Sequence, residues 1–487
     1  MHQLSYDPKN PLLFNDGFFV YFFAVFMAVY YALRNKVHGR SIVVSLFSLY
    51  FFYKASGSFV LLVLFSAVAN YWLSNQIYKT TAGSQKKGLL AASVAVNLGM
   101  LFYFKYTNFF IEVLNGLSGG HIGVLHILLP VGISFFTFEN LSYTIDVYRG
   151  EFEPEKRFIN YLLFLSFFPK LVMGPIVRAK DFIPQLYKPY YVSQQDFASG
   201  FYLIVSGLFR KLVIADYLTL NLVNVTFDNP GMYPGLQCFV AVLAYAIVIY
   251  CDFSGFSDVA IGIAKWMGIS IPPNFMLPYQ SLSLKEFWGR WHISLSSWLK
   301  DYLYIFWLGG SHNGVVRMLL NLMITMLLGG FWHGAKWTFI VWGALHGAGL
   351  VLHRIWEMQT KERLASVNNT AWYNAASGVL TFAFVCLCWV FFKATDVPTA
   401  MLMLKQIATN FSPGVWGDFW ENYKMVVLMM GLGFALHFVP LKVGTNYVLP
   451  KLERMPVYGY VLVFVGFVFV YAQVKSATPV MPIYLQF

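Results

Sequence analysis

The chain has 487 residues, of which 58% are hydrophobic, 19% aromatic and only 11% charged. Soluble domains are about 45–50% apolar and about 25% charged, so a soluble globular protein is excluded and lipid is the solvent. The net charge of +12 would point to nucleic acid in a soluble protein. Here it sits in short loops, as the excess of Lys and Arg in cytoplasmic loops of membrane proteins does, so no nucleic-acid partner is expected. A basic cytoplasmic face would also attract a polyphosphorylated donor.

In chain order, residues 1–15 are polar and loop-like. No small-residue cleavage site follows the first apolar run, so Phe18–Leu33 is expected to be retained as the first span. Ser41–Lys54 and Phe59–Ile77 read as a hairpin that places the basic loops RNKVHGR and YKTTAGSQKK on one side, the cytoplasmic one, with the N-terminus outside. Gly88–Phe110 crosses outward to NGLSGGH. Ile127–Val147 carries Pro130, Gly132, Glu139, Asn140 and Asp146 and is too polar to face lipid, so it must face protein or break within the membrane. Tyr161–Met173, with Pro169 and Lys170, leads into MGPIVRAKDFIPQ and reads as re-entrant or interfacial.

Phe201–Val223 and Phe239–Ile263 are further spans. Between Gly268 and Gly310 the prolines at 272, 273 and 278 precede KEFWGRWHISLSSWLKD, a mixed segment that suits an amphipathic helix dipping into the bilayer. Val315–Leu328 and Trp337–His353 bracket GGFWHGAKW. A polar linker at 359–371 then separates the core, residues 1–358, from a C-terminal extension, 372–487, with spans at Ala375–Phe392, Met425–Val439 and Tyr458–Val474. Roughly eleven crossings and one or two re-entrant segments are expected.

Ionisable groups at membrane depth cost free energy unless they have a partner or a job, so they are functional candidates by default. His333 follows an apolar run, and His292 lies in a Trp-rich segment upstream. The alternative for His333 is a packed histidine bonded to a carbonyl freed by Gly329-Gly330; for His292 it is a place in an interfacial tryptophan belt. If the segment after Gly330 is helical, His333 shares a face with Trp337, Ile340 and Ala344, while His346 shares one with Trp342 and His353. By the same reasoning Trp288, His292 and Ser296 form one helical face and Trp291, Leu295 and Trp298 another. Glu286 and Arg290 are spaced for an ion pair. Asp252 and Asp258 point about 120° apart on a helix, which suits structural hydrogen bonds rather than an acid/base dyad. No histidine or cysteine spacing matches a zinc pattern, so no metal is expected. Cys386 and Cys388 face opposite ways on a helix, as buried free thiols do.

The blocks GISFFTF, SYTIDVYRG, GPIVRAKDF, YCDFSGFSDVAIGIAKWMGI, NFMLPYQSLSLKEFWGRWHISLSSWLKDYLY and GFWHGAKWTFIVWGALHG run in order from about Pro130 to His353. Together they resemble the membrane-bound O-acyltransferase (MBOAT) family, and within it the branch of bacterial alginate O-acetyltransferase membrane subunits. The length and the extra C-terminal spans suit that branch better than the shorter teichoic-acid D-alanyl transfer proteins. One departure is YLYIFWLGG, where Phe306-Trp307 stand in place of the proline in the branch's usual YLYIPLGG.

The resemblance implies an all-α, polytopic protein of the bacterial inner membrane, a ring of helices around a thin floor with a through-tunnel. It makes His333 the near-invariant family histidine and His292 its upstream partner. Arg290, Trp291, Trp298, Asp301, Trp332 and Lys336 become candidates for lining the tunnel or binding the donor. The implied chemistry is acyl transfer from a cytoplasmic thioester, acetyl-CoA, with no tightly bound cofactor. The acyl group goes to a secreted polysaccharide through an extracytoplasmic serine-dependent acetyltransferase-like partner. His333 would take the acceptor hydroxyl's proton, and His292 would orient the acceptor or stabilise the oxyanion. The aromatic tail PIYLQF resembles the ending found on this branch, which makes Tyr484 either an acyl relay or an interfacial anchor. Two other readings are D-alanyl transfer to teichoic acid and a proton-coupled transporter or export channel.

Overall fold

The structure, a computed structural model, describes residues 5–8, 11–14, 16–171, 173–312, 314–360, 370–476 and 480–485. Among the described residues every regular element is helical. Most of the polar linker expected at 359–371 lies outside the described residues. Among the described residues seven helical stretches are long and apolar enough to cross a membrane, or eight if the bent pair Pro413–Phe438 and Leu441–Glu453 forms one span.

The difference from roughly eleven expected crossings has local causes. The first apolar helix, Gly17–Ala32, has only 16 residues. The Ile127–Val147 segment is helical only from Ile133, and Tyr161–Met173 is broken at Phe167 into Phe158–Ser166 and the four-residue Phe168–Leu171. One of the seven stretches, Val37–Lys79, holds the expected hairpin. Gly57, at φ +62°, turns the chain between Val37–Ser56 and Val60–Lys79, and a Cβ there would sit 2.8 Å from the Tyr6 ring, so only glycine fits.

The chain divides into two compact units, residues 1–204 with 259–272, and 205–258 with 273–487. In the first, polar side chains join helices that lipid alone would leave loosely associated. Asn97 donates to Asn70 Oδ1 at 2.7 Å, Ser93 donates to the same atom at 2.8 Å, and Thr144 lies 3.2 Å from both Ser74 and Ser93. The helix Ile133–Arg149 is buried from Ile133 to Val147, which is how its polar residues are tolerated. Glu139 is ion-paired with Lys170 and accepts from the Val177 amide at 3.3 Å, and Asn140 accepts from the Tyr161 hydroxyl at 2.6 Å.

In the second unit, the π-helical turn Arg210–Ala215 presents two neighbouring cations to the helix Gly235–Trp266. Arg210 pairs with Asp258, and Lys211 with Asp252 and, at 2.8 Å, with Asp216. The helices approach closely because Gly255 packs on the Gly207 carbonyl, where a Cβ would come within 2.6 Å. The two aspartates thus take separate cations, as their angular separation on one helix requires.

Val315–His333 and Trp337–Thr360 form a tight antiparallel hairpin. A Cβ at Gly343 would lie 2.6 Å from the Met326 carbonyl oxygen and 3.2 Å from the Gly330 Cα. The C-terminal residues belong to the same unit as both histidine segments. The four cysteines are buried and free.

Candidate active site

Two helical expectations are corrected here. The segment after Gly330 does not continue as one helix. His333 is the last residue of its helix, Gly334 is extended, and a new helix begins at Trp337. His333 therefore sits at the tip of the hairpin, and the face expected for it with Trp337, Ile340 and Ala344 does not form. The stripes predicted through His292 also fail, because Leu284–Arg290 and Ile293–Trp298 are separate short helices. The first is started by Ser283, which accepts from the Glu286 amide, while Glu286 accepts from the Leu282 amide, close to a capping box. It stops where His292 takes a left-handed conformation, φ +44°, which a non-glycine residue holds only under constraint from its surroundings.

That constraint is Asn274. Its carbonyl accepts from the Ile293 amide at 2.9 Å. Its side-chain Oδ1 accepts from the Ser294 amide at 3.2 Å and the Ser294 hydroxyl at 2.9 Å, and lies 3.1 Å from His292 Nδ1. Met276 N–H donates to Arg290 O at 3.0 Å on the other side of the break. The His292 ring is fully buried, edge-on to Phe253 at 4.6 Å between centroids and 6.3 Å from Trp332.

His333, 4% exposed, lies among Trp332, Trp342 and Phe392 at centroid distances of 5.0, 5.1 and 5.2 Å. Trp342 also touches His346 at 4.8 Å. His346 is buried against Trp288 and Phe287, within the aromatic core. Among the described residues no group of three or more His, Cys, Asp or Glu side chains converges on one point.

The C-terminal turn Ile483–Leu485 brings Tyr484 into this cluster. Its ring is 6.0 Å from His292, 5.8 Å from His333, 6.3 Å from Trp332 and 4.5 Å from Phe253. The turn is held by Asp252, whose Oδ2 accepts from the Ile483 amide at 3.0 Å while Oδ1 takes Lys211. Lys211 also reaches the Val480 carbonyl at 3.5 Å. A cavity of about 150 Å³ adjoins the tail, with Asp252, Lys336, Lys393, Phe339, Phe392 and Ile483 among its walls. Phe339 and Phe392 also flank His333, so the cavity and the histidine cluster share a wall.

Of the residues singled out from the sequence, the structure gathers His292, His333, Trp332 and Tyr484, and puts Lys336 on the cavity. Trp291 is buried in a separate stack with Phe275, Phe287 and Trp389. Arg290 pairs with Glu286 at 2.6 Å, as the spacing predicted, and Trp298 packs on Tyr302 at 5.2 Å. Asp301 lies in the π-helical stretch Leu299–Trp307. That helix runs through Phe306-Trp307, where a proline would have interrupted it. Sequence reasoning missed Asn274, Phe253 and Phe392, and gave Asp252 no connection to the tail. Nothing in spacing signals these contacts, which join segments distant in the chain.

Comparison with known proteins bears on what such an arrangement does. The family model of membrane-bound O-acyltransferases matches residues 18–395. The chain is similar to a peptidoglycan O-acetyltransferase of Helicobacter pylori, with 35% identity over 81% of this chain and 79% of the relative. It is similar to a probable alginate O-acetylase, AlgI, of Pseudomonas aeruginosa, with 38% identity over 83% and 76%. It is also similar to a teichoic acid D-alanyltransferase of Bacillus subtilis, at 28% identity over 54% and 68%.

Proposed function

Because this chain belongs to the membrane-bound O-acyltransferase family, and is therefore a multi-pass acyltransferase of the bacterial inner membrane, we propose that it carries acetyl groups outward from cytoplasmic acetyl-CoA to a secreted polysaccharide. The observation that carries the proposal is the position of Tyr484, whose ring lies within 6.0 Å of both imidazoles.

The Tyr484 hydroxyl attacks the thioester carbonyl, and the two histidines divide proton removal and oxyanion stabilisation between them. The carbon–sulfur bond breaks, the thiolate takes up the proton, and coenzyme A leaves with an acetyl ester on Tyr484. A serine hydroxyl on an extracytoplasmic partner then attacks that ester and regenerates the tyrosine, and the partner passes the acetyl group to the polymer. No metal or bound cofactor is required, because the donor arrives already activated.

Sidedness within the second unit supports this route. Following the helices through their turns, Arg317, Arg354, Lys442, Lys451 and Arg454 fall at one end, which the positive-inside rule makes the cytoplasmic one. Lys336, Lys393 and the start of the tail fall at the opposite end. On the proposed route, a tail entering from that end would meet an extracytoplasmic acceptor.

The alginate- and peptidoglycan-acetylating relatives match far more of the chain than the D-alanyl transfer relative does, which favours acetyl over D-alanyl. The transport reading gives way to the family. The test supplies radiolabelled acetyl-CoA to membranes holding the protein and its partner. Wild type transfers label to polymer, and His333→Ala does not, at equal protein level. Normal labelling in His333→Ala would overturn the proposal.

A further inference from the structure

On the reading that the two imidazoles act on the attacking hydroxyl, we propose that Asn274 is a positioning residue that fixes the tautomer of His292. Its Nε2 is thereby left as the bare acceptor that takes the hydroxyl's proton. The base is then His292, and His333 is left to face the oxyanion, the reverse of the division that the family likeness suggests.

The assignment follows from donors whose nature is not in doubt. The Ser294 backbone N–H can only donate, and it lies 3.2 Å from Asn274 Oδ1. That atom is therefore the carbonyl oxygen, and the amide nitrogen is the one turned to Ser257 Oγ at 3.4 Å. A carbonyl oxygen 3.1 Å from His292 Nδ1 requires Nδ1 to carry hydrogen. A neutral imidazole has one N–H, so Nε2 holds a lone pair. Nε2 is buried and has no hydrogen-bond partner among the described residues.

The surroundings keep that state. Phe253 from one helix and Trp332 from another contribute uncharged rings, and the titratable group facing His292 is Tyr484 from the tail. Asn274 also holds the strained backbone through Ile293 and Ser294, so one residue sets both the direction and the protonation pattern of the ring. In the step, the hydroxyl proton moves to Nε2 as oxygen bonds to the carbonyl carbon. The imidazolium keeps its Nδ1–H on Asn274, then returns the other proton to the departing thiolate.

Two variants and one spectroscopic signature test this. Asn274→Leu removes the acceptor and is expected to lower kcat about 10²–10⁴-fold, the usual worth of a general base, with KM for acetyl-CoA unchanged. Asn274→Asp keeps an acceptor for Ser294 and His292 but adds negative charge, which favours the imidazolium. The base is then protonated up to a higher pH, so the acidic limb of the pH–rate profile moves upward by about one to three units. A purely structural clamp predicts a wild-type profile for Asn274→Asp, and that result overturns the proposal, as does Asn274→Leu within threefold of wild type. Nitrogen-15 NMR of histidine-labelled protein in lipid, assigned against His292→Gln, should show a non-protonated Nε2 that changes in Asn274→Leu. An Nε2 that carries hydrogen in wild type also overturns it. This signal decides the matter even if acetyl-CoA proves not to be the donor.

Discussion

The tail is the part of the site whose seating can be measured directly. In the structure Asp252 gives the Ile483 amide a charged acceptor at 3.0 Å and pairs with Lys211. Asp252→Asn keeps the shape and an acceptor oxygen but removes the charge. Hydrogen bonds to charged groups contribute about 1.5–3 kcal/mol and neutral ones about 0.5–1.5 kcal/mol, so seating weakens by about 1.4 kcal/mol, or tenfold in the open fraction. Lys211 keeps Asp216 at 2.8 Å, which limits the collateral cost. The assay is maleimide labelling of Tyr484→Cys; the four native cysteines are buried and react slowly. Labelling should run about tenfold faster with Asp252→Asn added, and should not change with Asp258→Asn, whose cation is Arg210 on the same π-helical turn. Rates equal within twofold would show that Asp252 does not hold the tail.

Four further outcomes follow from the same contacts. Tyr484→Phe keeps the aromatic packing and removes the proposed nucleophile, so acetyl transfer to polymer should fall at least a hundredfold, about what a lost catalytic group costs; unchanged transfer in a radiolabel assay would leave the tyrosine only an anchoring role. His333→Gln retains an N–H donor and should keep measurable activity, whereas His292→Gln cannot act as a base and should not; kcat for the pair decides. Gly343→Ala forces a methyl against the Met326 carbonyl oxygen and should cost about 1–3 kcal/mol, seen as a lower thermal midpoint in detergent. Glu139→Gln strands Lys170, which is 2% exposed, at about 3–5 kcal/mol, and adding Lys170→Met should recover much of it on the same scale.

Much of this fold is visible in composition and in the placement of polar residues. Glu139, Asn140 and Asp146 in an apolar run required that segment to face protein or break within the membrane, and the angular separation of Asp252 and Asp258 pointed to separate structural partners. Both follow from local arithmetic of burial and helix periodicity. The site was legible only as a list of histidines. Helical periodicity was extended through His292 and across Gly334, and both times the helix ends there. At His292 the competing term is a tertiary one, since Asn274 supplies enough hydrogen bonds to hold a left-handed residue that local propensity would reject. The tail's position was illegible for a related reason. A buried ion pair between residues 211 and 252 creates the acceptor for an amide at 483, and no sequence window contains all three.

These features share a physical logic. On the proposed route a thioester meets a hydroxyl nucleophile while water is kept away, because water would consume the donor. Rings do the excluding here: Phe253, Trp332, Trp342 and Phe392 touch one imidazole or the other. An aromatic wall cannot itself orient an imidazole by hydrogen bonding, and an imidazole free to choose its tautomer is a poor base. The polar groups are accordingly few and sit one step back from the reacting atoms. Asn274 directs one imidazole, and Asp252 with Lys211 directs the tail. Substituting a ring for a smaller apolar residue, Phe253→Ala for example, should therefore act differently from substituting Asn274. It should admit water and raise acetyl-CoA hydrolysis without polymer acetylation, whereas Asn274→Leu should slow both. Measuring released acetate against acetylated polymer separates the two, and equal effects on both products in Phe253→Ala would argue that the rings serve packing alone.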